Sequence, residues 1–171
     1  MHTQKLSDLE IMEKFKDGVF PHPNMATTIP MKIMEVKKGF IEFRAVANDM
    51  HLNPMGGVHG GFAATVLDSA TGAAVYTLLL PGEGYGTVDL NVKMLKPVPQ
   101  GIELRARGKV IHLSRRLGIS EATLTDDEGN ISAHATSTCM ILRKKNSSNL
   151  ITFRPSEENN SVTATGRQFV K

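Results

Sequence analysis

Residues 60–82 read GGFAATVLDSATGAAVYTLLLPG, and the fold turns on how this stretch is understood. It is apolar on nearly every side, rich in small residues, and carries one charged residue, Asp68. Its length invites a transmembrane reading. A central Asp costs about 2.5–3.5 kcal/mol on bilayer insertion, however, and the Gly and Thr residues lower the hydropathy further. A helix from about His59 to Leu80, buried inside a soluble protein and stopped by Pro81-Gly82, fits better. Ala63, Ala64, Ala70, Gly72, Ala73 and Ala74 give it small surfaces, so a sheet backbone can approach on several sides.

Outside this helix the apolar period changes to two. Residues 27–47 read as two strands joined at Lys38-Gly39, the second carrying Ile41, Phe43, Ala45 and Ala47 on one face. Residues 48–57 form a loop rich in Asn, Pro and Gly. After the helix, Val88, Leu90, Val92 and Met94 alternate with polar residues until Pro97 and Pro99 break the run. Leu104, Ala106, Gly108 and Val110 alternate with Glu103, Arg105, Arg107 and Lys109. Leu117 to Thr125 is a further strand, residues 126–130 a turn, and Ile131 to Leu142 the last strand. Short connections favour antiparallel pairing. The order is two strands, one long helix, then four strands: an α+β chain whose sheet curls around the helix.

The flanks differ. Leu6, Leu9, Ile11, Met12 and Phe15 form an apolar helical stripe, with Ser7 and Glu10 spaced as a capping box and Pro21 and Pro23 ending the helix. Residues 1–26 are therefore a helix and turn, residues 27–142 the main domain, and residues 143–171 a polar tail read as flexible.

Composition narrows the function. A chain of 171 residues, 40% hydrophobic and 22% charged, supports one globular domain with its own core. Aromatics are only 5% and Trp is absent, so Ala, Gly, aliphatic residues and the nine Met do the packing. A net charge of +3 suits a polyanionic small ligand. Apart from Arg143-Lys144-Lys145 there is no basic stripe interleaved with aromatics, so no nucleic-acid partner is expected. A single cysteine, Cys139, rules out an internal disulfide and forms no metal cluster. No secretory signal is visible, so the cytoplasm is expected, with no membrane association.

Two features carry chemistry. Asp68 is the only charged residue, His excepted, between Asp49 and Glu83. The plain reading is a carboxylate on an exposed helix edge, yet a solvated face would carry more charge. A carboxylate among apolar groups suits general-base work. The second is Gly56-Gly57-Val58-His59-Gly60-Gly61, where four glycines approach and enter a helix. The first N–H groups of a helix lack internal partners and sit at its positive end, so they can hold an oxyanion. A packing or turn role for the glycines is the alternative. Gly60 and Asp68 are eight residues apart, about 12 Å along the helix, too far to share one carbonyl. An antiparallel second copy across a two-fold would bring one chain's Asp68 to the other's Gly60, so a dimeric site is expected.

Taken together, Asn53, His59-Gly60-Gly61 and Asp68 resemble the active-site segment of hotdog-fold thioesterases. They are most similar to the branch of phenylacetate-pathway and human thioesterase superfamily member 2 enzymes. The likeness continues into Gly86-Thr87-Val88-Asp89-Leu90-Asn91 and, in strand order and helix length, over residues 27–142. The resemblance implies a hotdog fold and hydrolysis of acyl-coenzyme A. It implies that the Gly60 N–H polarises the thioester oxygen, Asn53 helps bind that carbonyl or the water, and Thr87 positions the water. Asp68 would be general base or nucleophile. Asp68 and Thr87 of one chain would face Asn53 and Gly60 of the other.

His59 reads as a residue that orders the loop by bonding its backbone, and Gly61 stands beside it at the substrate. Coenzyme A is part of the substrate, and no separate cofactor or metal is expected. Its phosphates call for basic residues: Arg115 and Arg116 at a strand turn lead, followed by Lys93, Lys96 and Arg143. The expected assembly is a homodimer, and beyond it a tetramer built as a dimer of dimers. Two alternatives stand: a non-catalytic acyl-CoA sensor, and a hotdog dehydratase or hydratase, which would need a His–acid pair that the sequence does not display.

Overall fold

The computed structural model describes residues 6–143. The expected tail, apart from Arg143, lies outside the described residues. Helix α1 (Asp8–Lys16) carries the full capping box at Ser7 and Glu10. A short helix α2 (Asn24–Thr28) precedes strands β1 (Met31–Lys37) and β2 (Phe40–Val46). Helix α3 (Gly60–Tyr76) follows, then β3 (Gly84–Met94), β4 (Glu103–Leu113), β5 (Leu117–Thr125) and β6 (Ile131–Leu142). All six strands form one antiparallel sheet in the order β1-β2-β4-β5-β6-β3. The sheet curls around α3, the hotdog arrangement.

Small residues make this wrapping possible. A Cβ on Gly108 of β4 would lie 2.3 Å from the Ala70 carbonyl oxygen. The sheet backbone therefore rests directly on the helix backbone. Ala63, Val66, Leu67 and Ala70 are fully buried against Ile41, Leu104, Ala106 and Leu124. Met12 and Phe15 of α1 join the same core. No helix among the described residues is long and apolar enough to cross a membrane.

Three local expectations need correction. The first strand starts at Met31, not near residue 27, because the backbone after Pro23 turns into α2. Helix α3 ends at Tyr76, four residues before Leu80. There the Thr77 hydroxyl donates to the Ala74 carbonyl and accepts the Gly39 N–H, both at 2.7 Å, tying the helix end to the β1–β2 turn. In β3 a bulge between Thr87 and Asp89 breaks the strict alternation. Val88 is thereby 57% exposed and does not share a buried face with Leu90 and Val92.

Candidate active site

The loop before α3 is built around two side chains. The Asn53 Oδ1 accepts from the N–H groups of Met55, at 2.9 Å, and Gly57, at 3.3 Å. Buried His51 accepts the Asn48 N–H at Nδ1 and donates from Nε2 to the Thr28 carbonyl, each at 2.9 Å. Accepting at one nitrogen and donating at the other makes this imidazole neutral. The His51 carbonyl also takes the His59 N–H at 2.7 Å. His51 thus anchors the loop, a role its sequence position does not announce.

At the helix start, His59 is the N-cap, and its Nδ1 accepts the Gly61 N–H at 2.8 Å. A Cβ on Gly61 would stand 2.8 Å from that same nitrogen, so the cap requires glycine there. The Phe62 N–H goes to the His59 carbonyl at 2.9 Å. With its neighbours committed, the Gly60 N–H has no acceptor among the described residues. It is an unpaired donor at the positive end of a long helix.

Two turns on, half-buried Asp68 meets β3. The Thr87 hydroxyl donates to Asp68 Oδ1 at 3.0 Å. Thr87 pairs across the ladder with fully buried Cys139, which puts both side chains on the face turned to α3. Burial pushes the Cys139 thiol up, and the neighbouring Ser137 and Thr87 hydroxyls oppose this. Tyr85, two residues before Thr87, is also pushed up, first by burial and then by Cys139, Asp68 and Tyr76. Asp68 and Thr87 are therefore brought together in one chain. Gly60 is not: a Cβ there would lie 3.2 Å from the Met94 methyl, at the far end of β3.

Beside this pair lies a cavity of about 520 Å³ between α1, β1, α3 and the start of β3. Ser69, Asp8, Tyr76 and Tyr85 are among its lining residues, with the Tyr76 and Tyr85 rings 6.0 Å apart. Asp8 is 1% exposed. Burial raises Asp8 to about 6, a rise the Tyr76 hydroxyl opposes and nearby Glu83 reinforces. Tyr76 rises to about 12 through burial and the Asp8 charge. An acid in the first turn of a helix reads from sequence as a dipole partner, so this buried carboxylate was not foreseen.

The comparisons with known proteins bear on this arrangement. Residues 55–133 match the model of the thioesterase superfamily. A solved phenylacetic acid degradation-related protein of Ralstonia eutropha JMP134 is 34% identical, with 75% of this chain and 97% of that one covered at a TM-score of 0.69. The chain belongs to the thioesterase superfamily. A Saccharolobus solfataricus protein named as an esterase is 29% identical over 120 residues, covering 70% of this chain and 78% of its own. A thioesterase-fold protein of Streptococcus pneumoniae TIGR4, solved with coenzyme A, shares the fold at 24% identity and a TM-score of 0.61, covering 67% of this chain and 91% of that one.

Within this thioesterase-superfamily chain the basic residues expected to meet phosphates lie in three places. Arg115 and Arg116 are exposed at the β4–β5 turn, which Ser114 closes by accepting the Leu117 N–H at 3.1 Å. Leu117 pairs with Met140, and Met140 with Gly86, so this turn lies at the Thr87 end of the sheet, two strands away. Two strand spacings are roughly 10 Å. Arg143, in contrast, is bound to Glu83 at 2.6 Å. Lys93 and Lys96 are exposed near the other end of β3. Among the described residues no group of three or more His, Cys, Asp or Glu is gathered to hold a metal ion.

Proposed function

We propose that this protein hydrolyses acyl-coenzyme A thioesters at a site shared between two copies of the chain. The observation that carries the reading is the Thr87–Asp68 hydrogen bond of 3.0 Å beside an edge strand. Thr87 occupies one carboxylate oxygen of Asp68, and the other is left to take a proton from water. That water adds to the thioester carbon, and the carbonyl oxygen becomes an oxyanion held by the Gly60 N–H. Collapse breaks the C–S bond, and Asp68 returns its proton to the thiolate, giving coenzyme A and a carboxylic acid, which ionises in water.

Geometry supports the shared site. Gly60 and Asp68 are eight residues apart on α3, about 12 Å along its axis. No single thioester reaches from Asp68 to the Gly60 of the same chain. Among the described residues β3 pairs only with β6, so its outer edge is open. That edge carries Val88 at 57% and Met94 at 50% exposure. Open edges with exposed apolar residues favour pairing with another strand. Two copies of β3 paired antiparallel with Thr87 opposite Met94 would set each Asp68 beside the partner copy's Gly60 and Asn53. A tetramer would be two such dimers packed together.

Arg115 and Arg116 would meet the coenzyme A phosphates from the Thr87 end of the sheet. The fold relative solved with coenzyme A lends support to that ligand. A dehydratase reading is disfavoured by the His59 ring, whose Nδ1 is committed to Gly61.

Thiol release from a panel of acyl-CoAs, by wild type and Asp68→Asn, tests the reaction. Equal rates for the two proteins would overturn it. A wild type that binds acyl-CoA without releasing thiol would mean a sensor. For the shared site, inactive Asp68→Asn mixed with an inactive Asn53→Ala protein should regain part of the activity. No regain after confirmed subunit exchange would assign each site to a single chain.

A further inference from the structure

The cavity of about 520 Å³ has one wall that the proposed reaction does not explain, helix α1. Half-buried Ile11 and buried Met12 and Phe15 form that wall. Other walls come from the two elements that hold the proposed catalytic pair. Ser69 follows Asp68 on α3, and Tyr85 lies two residues before Thr87 on the same face of β3. A Cβ on Gly72 would lie 2.6 Å from the Tyr85 ring, so the ring sits flush against α3 and lines the chamber instead of filling it. The volume lies within the ordinary range for small-molecule pockets. The charge of the lining is one-sided. Asp8 and Glu83 are its carboxylates, and no Lys or Arg is among its lining residues. Asp8 is closed to solvent, Glu83 is taken by Arg143 and the Leu80 N–H, and His22 is exposed.

Resting on the thioesterase reading above, we infer that the acyl group of the substrate lies in this cavity and that α1 is the wall that sets its bulk, admitting uncharged, apolar chains. The placement follows from the thioester carbon. That carbon must stand beside Asp68, and the acyl group leads away from it toward the chamber that Ser69 and Tyr85 help to line. Each methylene buried there strengthens binding by about fourfold. Helix α1 precedes in sequence all the elements that carry Asn53, Gly60, Asp68 and Thr87. Trimming its apolar face therefore reshapes the chamber without touching those residues. A chain ending in a carboxylate would carry a charge into apolar surroundings with no free cation to meet it, which is a costly burial.

The test is a rate series from butanoyl-CoA to tetradecanoyl-CoA on wild type, Ile11→Ala and Ala26→Phe. Both positions line the cavity and are only half-buried, so the fold should tolerate either change. The readout is the chain length at which kcat/KM peaks. Ile11→Ala should move the peak to longer chains and Ala26→Phe to shorter ones, with the ratio between neighbouring even-numbered chains changing by about tenfold or more. A peak unmoved by Ile11→Ala would overturn the role of α1. One unmoved by Ala26→Phe would overturn the placement, and either result leaves the thioesterase reading intact. Wild type should also favour octanoyl-CoA over octanedioyl-CoA by about tenfold or more, and equal values would overturn the exclusion of charge. Calorimetric titration of straight-chain alcohols reads the cavity without turnover. Should no acyl-CoA be hydrolysed, saturable binding of octanol that Ala26→Phe weakens, with longer alcohols preferred by Ile11→Ala, would still support the inference. Absence of binding by wild type, or binding that neither change alters, would overturn it.

Discussion

Replacing Thr87 by Val isolates the hydrogen bond on which the mechanism depends. Valine keeps the branched shape and the strand preference of threonine and removes only the donor. Thr87 is exposed, so no buried packing is lost, and the fold should tolerate the change. The bond it loses runs from Oγ1 to the Asp68 carboxylate at 3.0 Å. Hydrogen bonds to charged groups contribute about 1.5–3 kcal/mol, and half-exposed Asp68 places this one near the lower end. About 1.4 kcal/mol is a factor of ten in rate. Without the donor, Asp68 is free to rotate and its second oxygen no longer points at a fixed water. The expectation is a fall of about tenfold in kcat, with little change in KM, in a continuous assay of released thiol. Thr87→Ser should recover most of the loss. Asp68→Asn should be worse by far, since general-base assistance is worth about 10²–10⁴. If Thr87→Val matches wild type in kcat while Asp68→Asn is inactive, Thr87 does not orient Asp68. If Thr87→Val lowers the melting temperature by many degrees, the bond is structural and the kinetic argument fails.

Other expectations follow from the same contacts. Gly108→Ala would drive a methyl to 2.3 Å from the Ala70 carbonyl oxygen, so α3 must move away from β4. A loss of about 2–3 kcal/mol in urea unfolding is expected, and a loss below about 0.5 kcal/mol would mean the helix yields freely. His51→Leu removes two loop bonds of 2.9 Å from a buried site. It should cost roughly 2–4 kcal/mol and also slow thiol release by loosening the loop that presents Gly60; unchanged stability would refute the anchoring role. Asp8 is raised in the folded protein from 3.8 to about 6, mainly by burial. The folded state then holds this proton more tightly than the unfolded chain, so its contribution to stability is greatest below about pH 4 and is lost as pH rises through about 6. Asp8→Asn should gain on wild type by up to roughly 3 kcal/mol above pH 6 and by little below pH 4. A difference in unfolding free energy that stays constant from pH 4 to 8 would contradict the burial argument.

Much of the fold was legible because its boundaries are set by local chemistry. Strands β5 and β6 begin and end where the turn residues Asp126 to Asn130 and the alternation place them. The start of α1 was readable in Ser7 and Glu10, since a capping box needs only residues three apart. The misplaced boundaries were those set by partners distant in sequence. The end of α3 depends on Thr77 reaching the Gly39 N–H, a contact across 38 residues. The bulge in β3 depends on its register against β6. Neither partner can be inferred from the residues nearby.

The site divides along the same line. Asp68 stood out in sequence because a lone charge on an apolar helix is anomalous, and Gly60 because glycines at a helix start are. Their roles came from the resemblance, since no local pattern links Asp68 to Thr87, 19 residues later. Asp8 was hidden for the opposite reason: its neighbours explain it completely as an acid in a first helical turn. Only the packing of α1 against Tyr76 turns a routine surface charge into a buried acceptor. The two carboxylates are thus presented by different means. Asp68 is held at an open strand edge, where a second chain and water can reach it. Asp8 is enclosed beneath α1 at 1% exposure, where neither reaches it.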